Sequence, residues 1–100
     1  MALSDSDIAF AVDLFEDLGP VTTRKMFGGM CLYHEGTVFA LMSSEPRLYI
    51  KTRDPVALMG AATARFHTMP YHALPEDALD DPARACSIAR DALDRLREEP

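Results

Sequence analysis

Hydrophobic residues recur along this chain with two different periods. Over residues 4–18 they keep helical spacing, with Ile8, Ala11, Val12, Phe15 and Leu18 on one stripe. Ser4 is a good N-cap, and Asp7 three positions later gives a capping-box-like start near the positive helix end. Gly19-Pro20 stops the helix, because Gly tolerates a left-handed turn and Pro cannot continue the hydrogen-bond ladder. Phe10 lies off the stripe and is a candidate for a second contact. Helical spacing returns over residues 82–97, where Ala85, Ile88, Ala89, Ala92, Leu93 and Leu96 line up behind an Asp81-Pro82 start. A shorter helix is predicted over residues 56–62, opened by Asp54-Pro55, and one helical turn over residues 75–79.

Between the first two helices the period is two. Residues 21–27 are β-branched and polar, and residues 30–33 resume the strand after Gly28-Gly29. The glycine pair therefore predicts a bulge or a sharp bend. His34-Glu35-Gly36 is a short hairpin turn. Residues 37–42 are apolar on both faces, Phe39 and Leu41 on one, Val38, Ala40 and Met42 on the other, as in a central strand covered twice. Residues 47–52 alternate, with Leu48 and Ile50 inward and Arg47, Tyr49 and Lys51 outward. A short further strand is predicted at 65–69, and residues 70–74 read as irregular. The order of elements is that of an α+β domain. It has two layers: an antiparallel sheet of three to five strands, and helices before, between and after it. The predicted core is Ile8, Val12, Phe15, Leu18, Phe27, Phe39, Leu41, Leu48, Ile50, Leu93 and Leu96.

Composition adds bounds. One hundred residues make a single domain spanning 1–100, with 48% hydrophobic and 26% charged residues, ordinary globular values. The net charge of −6 argues against a dominant duplex-DNA binder, which needs a basic surface to release counterions. The start MALSDSD lacks the charged and apolar regions of a signal peptide, and no apolar run approaches about 18 residues. A cytoplasmic protein without a membrane span is the expectation. Cys31 and Cys86 then read as two buried free thiols rather than a disulfide.

Each motif with chemical promise has a plainer explanation. Gly28-Gly29 is followed by a strand and not by a helix N-terminus, so it does not make a phosphate cradle. Cys31 and His34 are three apart on a strand and face opposite sides, and His67 and His72 have no partner at metal-binding spacing. His34 is expected to be exposed in its turn, with His67 and His72 as surface or lip residues. Cys31 lies mid-strand among apolar neighbours with nothing to lower its pKa. Ser43-Ser44 lacks the context of a nucleophile elbow. The cluster Glu76, Asp77, Asp80 and Asp81 lacks the EF-hand pattern and is read as helix-capping carboxylates. No catalytic residue, cofactor or metal is expected.

Basic and aromatic side chains do share strands. Arg24, Lys25, Tyr33, Val38, Tyr49 and Lys51 are the candidate interaction residues, and Arg47 and Arg53 flank them. Basic groups with a stacking aromatic on a sheet face are what single-stranded nucleic-acid binders use, although cations also guard exposed strands. Direct nucleic-acid binding is not expected at this acidic balance. Three helices cover one sheet face and would leave open the side bearing Val38, Ala40 and Met42. Either a homodimer forms there or the loop over residues 70–79 covers it; the homodimer is the expectation.

The run Arg24-Lys25-Met26-Phe27-Gly28-Gly29 is an unusual word. The strand with Leu32-Tyr33, the Phe39 and Leu41 strand and the Leu48-Tyr49-Lys51 strand follow it, then Met69-Pro70-Tyr71 and Leu74-Pro75. In this order they resemble the N-terminal domain of the TfoX/Sxy competence-regulator family over nearly the whole chain. Met26, Phe27, Gly28 and Gly29 form the structural motif of that resemblance. Cys31 departs from it, standing where a small residue is usual. The resemblance implies an α+β domain similar to secretion-chaperone-like folds, without catalytic activity. It also implies a protein partner in the transcription machinery, since full-length members carry a second, helical domain and act with the cyclic-AMP receptor protein. This chain stops at Pro100, where that second domain would begin, so a stand-alone N-terminal domain is expected. The leading expectation is a non-catalytic regulatory or protein-interaction module. The alternative is a small-molecule- or nucleic-acid-binding domain using the outward sheet face. An enzyme ranks last, because no nucleophile, base and orienting group coincide.

Overall fold

Helix α1 (Asp5–Leu14) begins where the capping box places it. The Ser4 hydroxyl accepts from the Asp7 amide at 3.2 Å, and the Ser4 amide donates to the Asp7 carboxylate at 3.1 Å. The computed structural model describes residues 3–26, 28–60 and 62–98. A 3-10 turn over Glu16–Leu18 follows α1. The buried stripe falls on Ala11, Leu14 and Phe15, and Ile8, Val12 and Leu18 are only half-buried. Phe10 is exposed.

Five strands follow in chain order: β1 (Val21–Met26), β2 (Gly29–His34), β3 (Thr37–Met42), β4 (Leu48–Lys51) and β5 (Tyr71–Ala73). They form one antiparallel sheet in the order β1-β2-β3-β4-β5. The glycine pair, expected to bend one long strand, instead closes a hairpin: Met26 pairs with Gly29, and Gly28 adopts φ 79°. Phe27, expected in the core, lies outside the described residues. The fifth strand also sits elsewhere than expected. Residues 65–69 contribute only a bridge from Arg65 to His72, and the strand forms at Tyr71–Ala73. There the Thr52 amide donates to the Pro70 carbonyl and the Leu74 amide to the Leu48 carbonyl. Proline at the strand's leading edge keeps its carbonyl available for that pairing.

The remaining helices are α2 (Pro55–Met59), α3 (Glu76–Leu79) and α4 (Pro82–Glu98). Asp54 caps α2 by accepting from the Ala57 amide at 3.0 Å, and Gly60 ends it with φ 78°. Asp81 receives the Arg84 amide at the start of α4. All four helices cover one face of the sheet. Their buried residues, among them Leu14, Phe15, Leu58, Ile88 and Leu93, pack on Met30, Leu32, Phe39, Met42, Leu48 and Ile50 in one core. Phe15 meets Phe39 edge to face at 5.2 Å, an arrangement aromatic pairs favour. Leu96, expected in the core, is half-buried where α4 runs past the sheet.

One irregularity corrects the expected facing of β3. Leu32 pairs with Ala40 but Tyr33 pairs with Val38, so Phe39 is an extra residue opposite that step. Such a bulge reverses the alternation beyond it. Phe39, Ala40 and Met42 therefore all face the helices, while Val38 and Leu41 share the outward face. Ala40 and Met42 are not part of an open second face, as uninterrupted alternation implied.

Candidate interaction face

The outward face of the sheet carries a second, smaller apolar cluster. Cys31, Leu41, Tyr49 and Tyr71 are buried in it, with Tyr33, Val38, Phe66, Met69 and Ala73 packed around them. Strand register explains the set. Arg24, Cys31, Leu41, Tyr49 and Ala73 stand in one row across all five strands, and Lys51 pairs with Tyr71 in the next. The cover comes from the segment between α2 and β5. Arg65 clamps it, donating to the carbonyls of Thr68 and Met69 at 2.9 Å each. The clamp holds Phe66 over Tyr49, with ring centroids 5.0 Å apart.

This cover is incomplete. Toward the β1–β2 hairpin it leaves a hollow of about 250 Å³, lined by Met26, Gly29, Cys31, Tyr33, Leu41 and Met69 among others. The lining is uncharged. Burial pushes the Cys31 thiol up, only partly opposed by the Lys51 ammonium. Burial chiefly, with smaller contributions from the neighbouring Cys31 and Tyr33, pushes the Tyr71 phenol up to about 12. Both groups stay protonated near neutrality. The Cys31 sulfur contacts the Met26 thioether at 3.8 Å.

The six candidate interaction residues divide. Arg24, Tyr33, Val38, Tyr49 and Lys51 share the outward face, while Lys25 pairs with Met30 and faces the helix side. Tyr49 is on the expected face but is only 8% exposed, because Phe66 roofs it. Tyr33, Val38 and Lys51 are half-exposed and Arg24 is exposed. The sequence reading missed Phe66, Met69 and Tyr71, because residues 70–74 looked irregular and the roofing segment carries no periodicity. Leu41 also belongs here, where uninterrupted alternation along β3 would place it on the helix side.

The histidines behave differently from expectation in one case. His34 is 7% exposed, since β2 continues through it, and its Nδ1 lies 2.8 Å from the Pro20 carbonyl. The turn is left to Glu35 and Gly36, both at positive φ. His72 is half-buried, with Nδ1 at 3.1 Å from the Thr52 carbonyl, and His67 is exposed. Cys31 and Cys86 are buried free thiols; the Cys86 sulfur lies 3.5 Å from the Leu14 carbonyl. Among the described residues no three of His, Cys, Asp or Glu gather in a metal-binding group, and no helix is long and apolar enough to cross a membrane.

Charge is segregated along the chain. Residues 21–74, which carry the sheet, hold six Lys or Arg against three carboxylates, a net +3; the remainder therefore carries −9 of the total −6. On the strands' outward positions the charged residues are Arg24 and Lys51, both cations.

No curated protein matches the chain. A family model described as the TfoX N-terminal domain matches residues 13–96, from the last two residues of α1 through nearly all of α4, and includes the whole sheet. The chain belongs to the TfoX N-terminal domain family.

Proposed function

We propose that this domain is a non-catalytic, regulator-type protein-interaction module whose working surface is the sheet side, away from the helices. The observation that carries this reading is the outward face itself. It is an apolar and aromatic cluster only partly roofed, with Arg24 and Lys51 at its rim. An apolar centre with a charged rim is how protein interfaces are built. The family membership favours a partner in the transcription machinery. A second copy of the chain is another protein able to cover the same face, in keeping with a homodimer. The uncharged hollow of about 250 Å³ supports the second reading, a small apolar ligand, although it lies below the ~300–1,000 Å³ usual for such sites.

An affinity pull-down from the native host, run beside Val38→Glu, tests the first reading. A prey captured by the native domain and lost with the variant supports it. Light scattering identifies the prey as a second copy when the native domain is dimeric and the variant is not. An unchanged prey list, with a small molecule released from the native domain on denaturation, would replace it by the second.

A further inference from the structure

The two edges of the sheet are not alike. Beyond β5 the edge is occupied: the Ala73 amide donates to the Ala64 carbonyl at 2.8 Å and the Phe66 amide to the Tyr71 carbonyl at 2.9 Å. Strand β1 is the other edge, six residues long, and among the described residues it is paired only with β2. From Thr22 to Met26 every residue is exposed. An edge of this length offers a row of unpaired backbone donors and acceptors.

Both faces of the sheet are hollowed beside the end of that edge. On the outward side is the 250 Å³ hollow that Met26 and Gly29 help to line. On the helix side a second recess of about 280 Å³ is lined by Leu3, Ile8, Lys25, Met26, Gly29 and Met30. Gly29 has no side chain to fill either one. The two cations of β1 point to opposite faces: Arg24 shares the side of Cys31, and Lys25 that of Met30. Neither forms an ion pair with a described residue.

We infer that β1 is a docking edge for an extended acidic-apolar peptide segment of a partner protein, which adds to the sheet as a sixth strand. This rests on the interaction-module reading above and deepens it. Successive side chains of an added strand point to opposite faces. Two neighbouring apolar residues of the partner enter the two recesses beside Met26. Two neighbouring carboxylates, further along toward Thr22, face Arg24 and Lys25. Backbone pairing supplies the affinity and the alternate recesses supply the choice of sequence. The unpaired cations decide the charge of the occupant: a basic segment is repelled, and an acidic one is steered to a positive edge on an otherwise acidic protein. A second copy offering its own β1 would bring Arg24 and Lys25 of both chains onto one short ladder, which disfavours that occupant.

The test is a displayed library of random dodecapeptides selected on the intact domain at near-physiological salt. Enriched peptides are synthesised and mapped by amide hydrogen exchange. The expected result is a consensus with adjacent apolar residues and adjacent Asp or Glu, and added protection concentrated in β1. The double variant Arg24→Glu/Lys25→Glu, at two exposed positions, should weaken binding about tenfold or more while its melting temperature stays near that of the native domain. Peptides that protect α1, α4 or only the roofed outward cluster, or that bind the double variant equally well, would overturn the docking edge and leave the interaction module standing. A selection with no enrichment over blank support would overturn the docking edge, while the pull-down decides the interaction module separately.

Discussion

Gly29 lies directly against the main-chain carbonyl of Met42, so close that a Cβ at Gly29 would overlap the oxygen. The atom in the way is backbone and cannot swing aside as a flexible side chain would. Gly29→Ala should therefore push β2 away from the end of β3 and cost about 1–3 kcal/mol, the usual range for forced overpacking. Gly28 is required for a different reason, its φ of 79°, and Gly28→Ala should cost roughly 1–2 kcal/mol. Urea unfolding followed by circular dichroism separates the two. A neutral Gly29→Ala would show that the hairpin end is not packed this way.

The bulge at Phe39 makes a prediction that plain alternation reverses. Val38 and Ala40 would share a face on a regular strand, yet Val38 is half-exposed outward and Ala40 is fully buried under the helices. Val38→Glu should fold with little loss. Ala40→Glu should lose about 3–5 kcal/mol, as an unpaired charge in the core does. Phe39→Ala should cost a similar ~3–5 kcal/mol through its cavity. Equal tolerance of glutamate at 38 and 40 would remove the bulge from the fold.

That bulge marks the limit of what the chain's pattern discloses. Helix starts were legible because Ser4, Asp54 and Asp81 cap with local hydrogen bonds. The inward positions Leu48 and Ile50 were legible because β4 alternates without a break. The extra residue in β3 was not, since its cause is register against β2 rather than any residue within β3. His34 read as a turn residue because a histidine before Glu-Gly looks polar; its burial comes from the distant Gly19-Pro20 corner that its ring meets. The outward face was half legible. Arg24, Tyr33 and Lys51 follow from period two, but Phe66 and Met69 arrive through tertiary folding of a segment with no period of its own.

The roofed cluster should make stability fall in strong alkali. The Tyr71 phenol is pushed from about 10 in the unfolded chain to about 12 in the fold, chiefly by burial. A raised folded value means that the native state holds the proton longer. Its stabilising contribution is thus fully present below about pH 10 and is lost as pH rises through about 12. The Cys31 thiol, raised by burial above 9.0, adds a loss of the same sign that begins somewhat lower. Urea melts across this range should show falling stability. Tyr71→Phe should flatten the upper part, and a native Tyr71 titrating near 10 by ultraviolet difference spectroscopy would contradict its burial.

Charge placement sets the expectation for nucleic acid. The sheet region is net positive, but its outward strand positions bring only Arg24 and Lys51 to the aromatic cluster. The segments outside it carry −9, which repels a long polyanion approaching from most directions. Two phosphate contacts give a salt slope of only about −2 on duplex DNA, against roughly −5 to −9 for proteins that make six to ten. Tyr49, the aromatic best placed by sequence for base stacking, is beneath Phe66 and unavailable as a platform. Fluorescence anisotropy should therefore find no saturable binding to a labelled duplex at ~200 mM salt, and at most weak binding of shallow salt dependence at low salt. A dissociation constant under about 1 µM that survives that salt would overturn the expectation. Loss of that binding in Arg24→Ala and Lys51→Ala would then place the nucleic acid on the outward face.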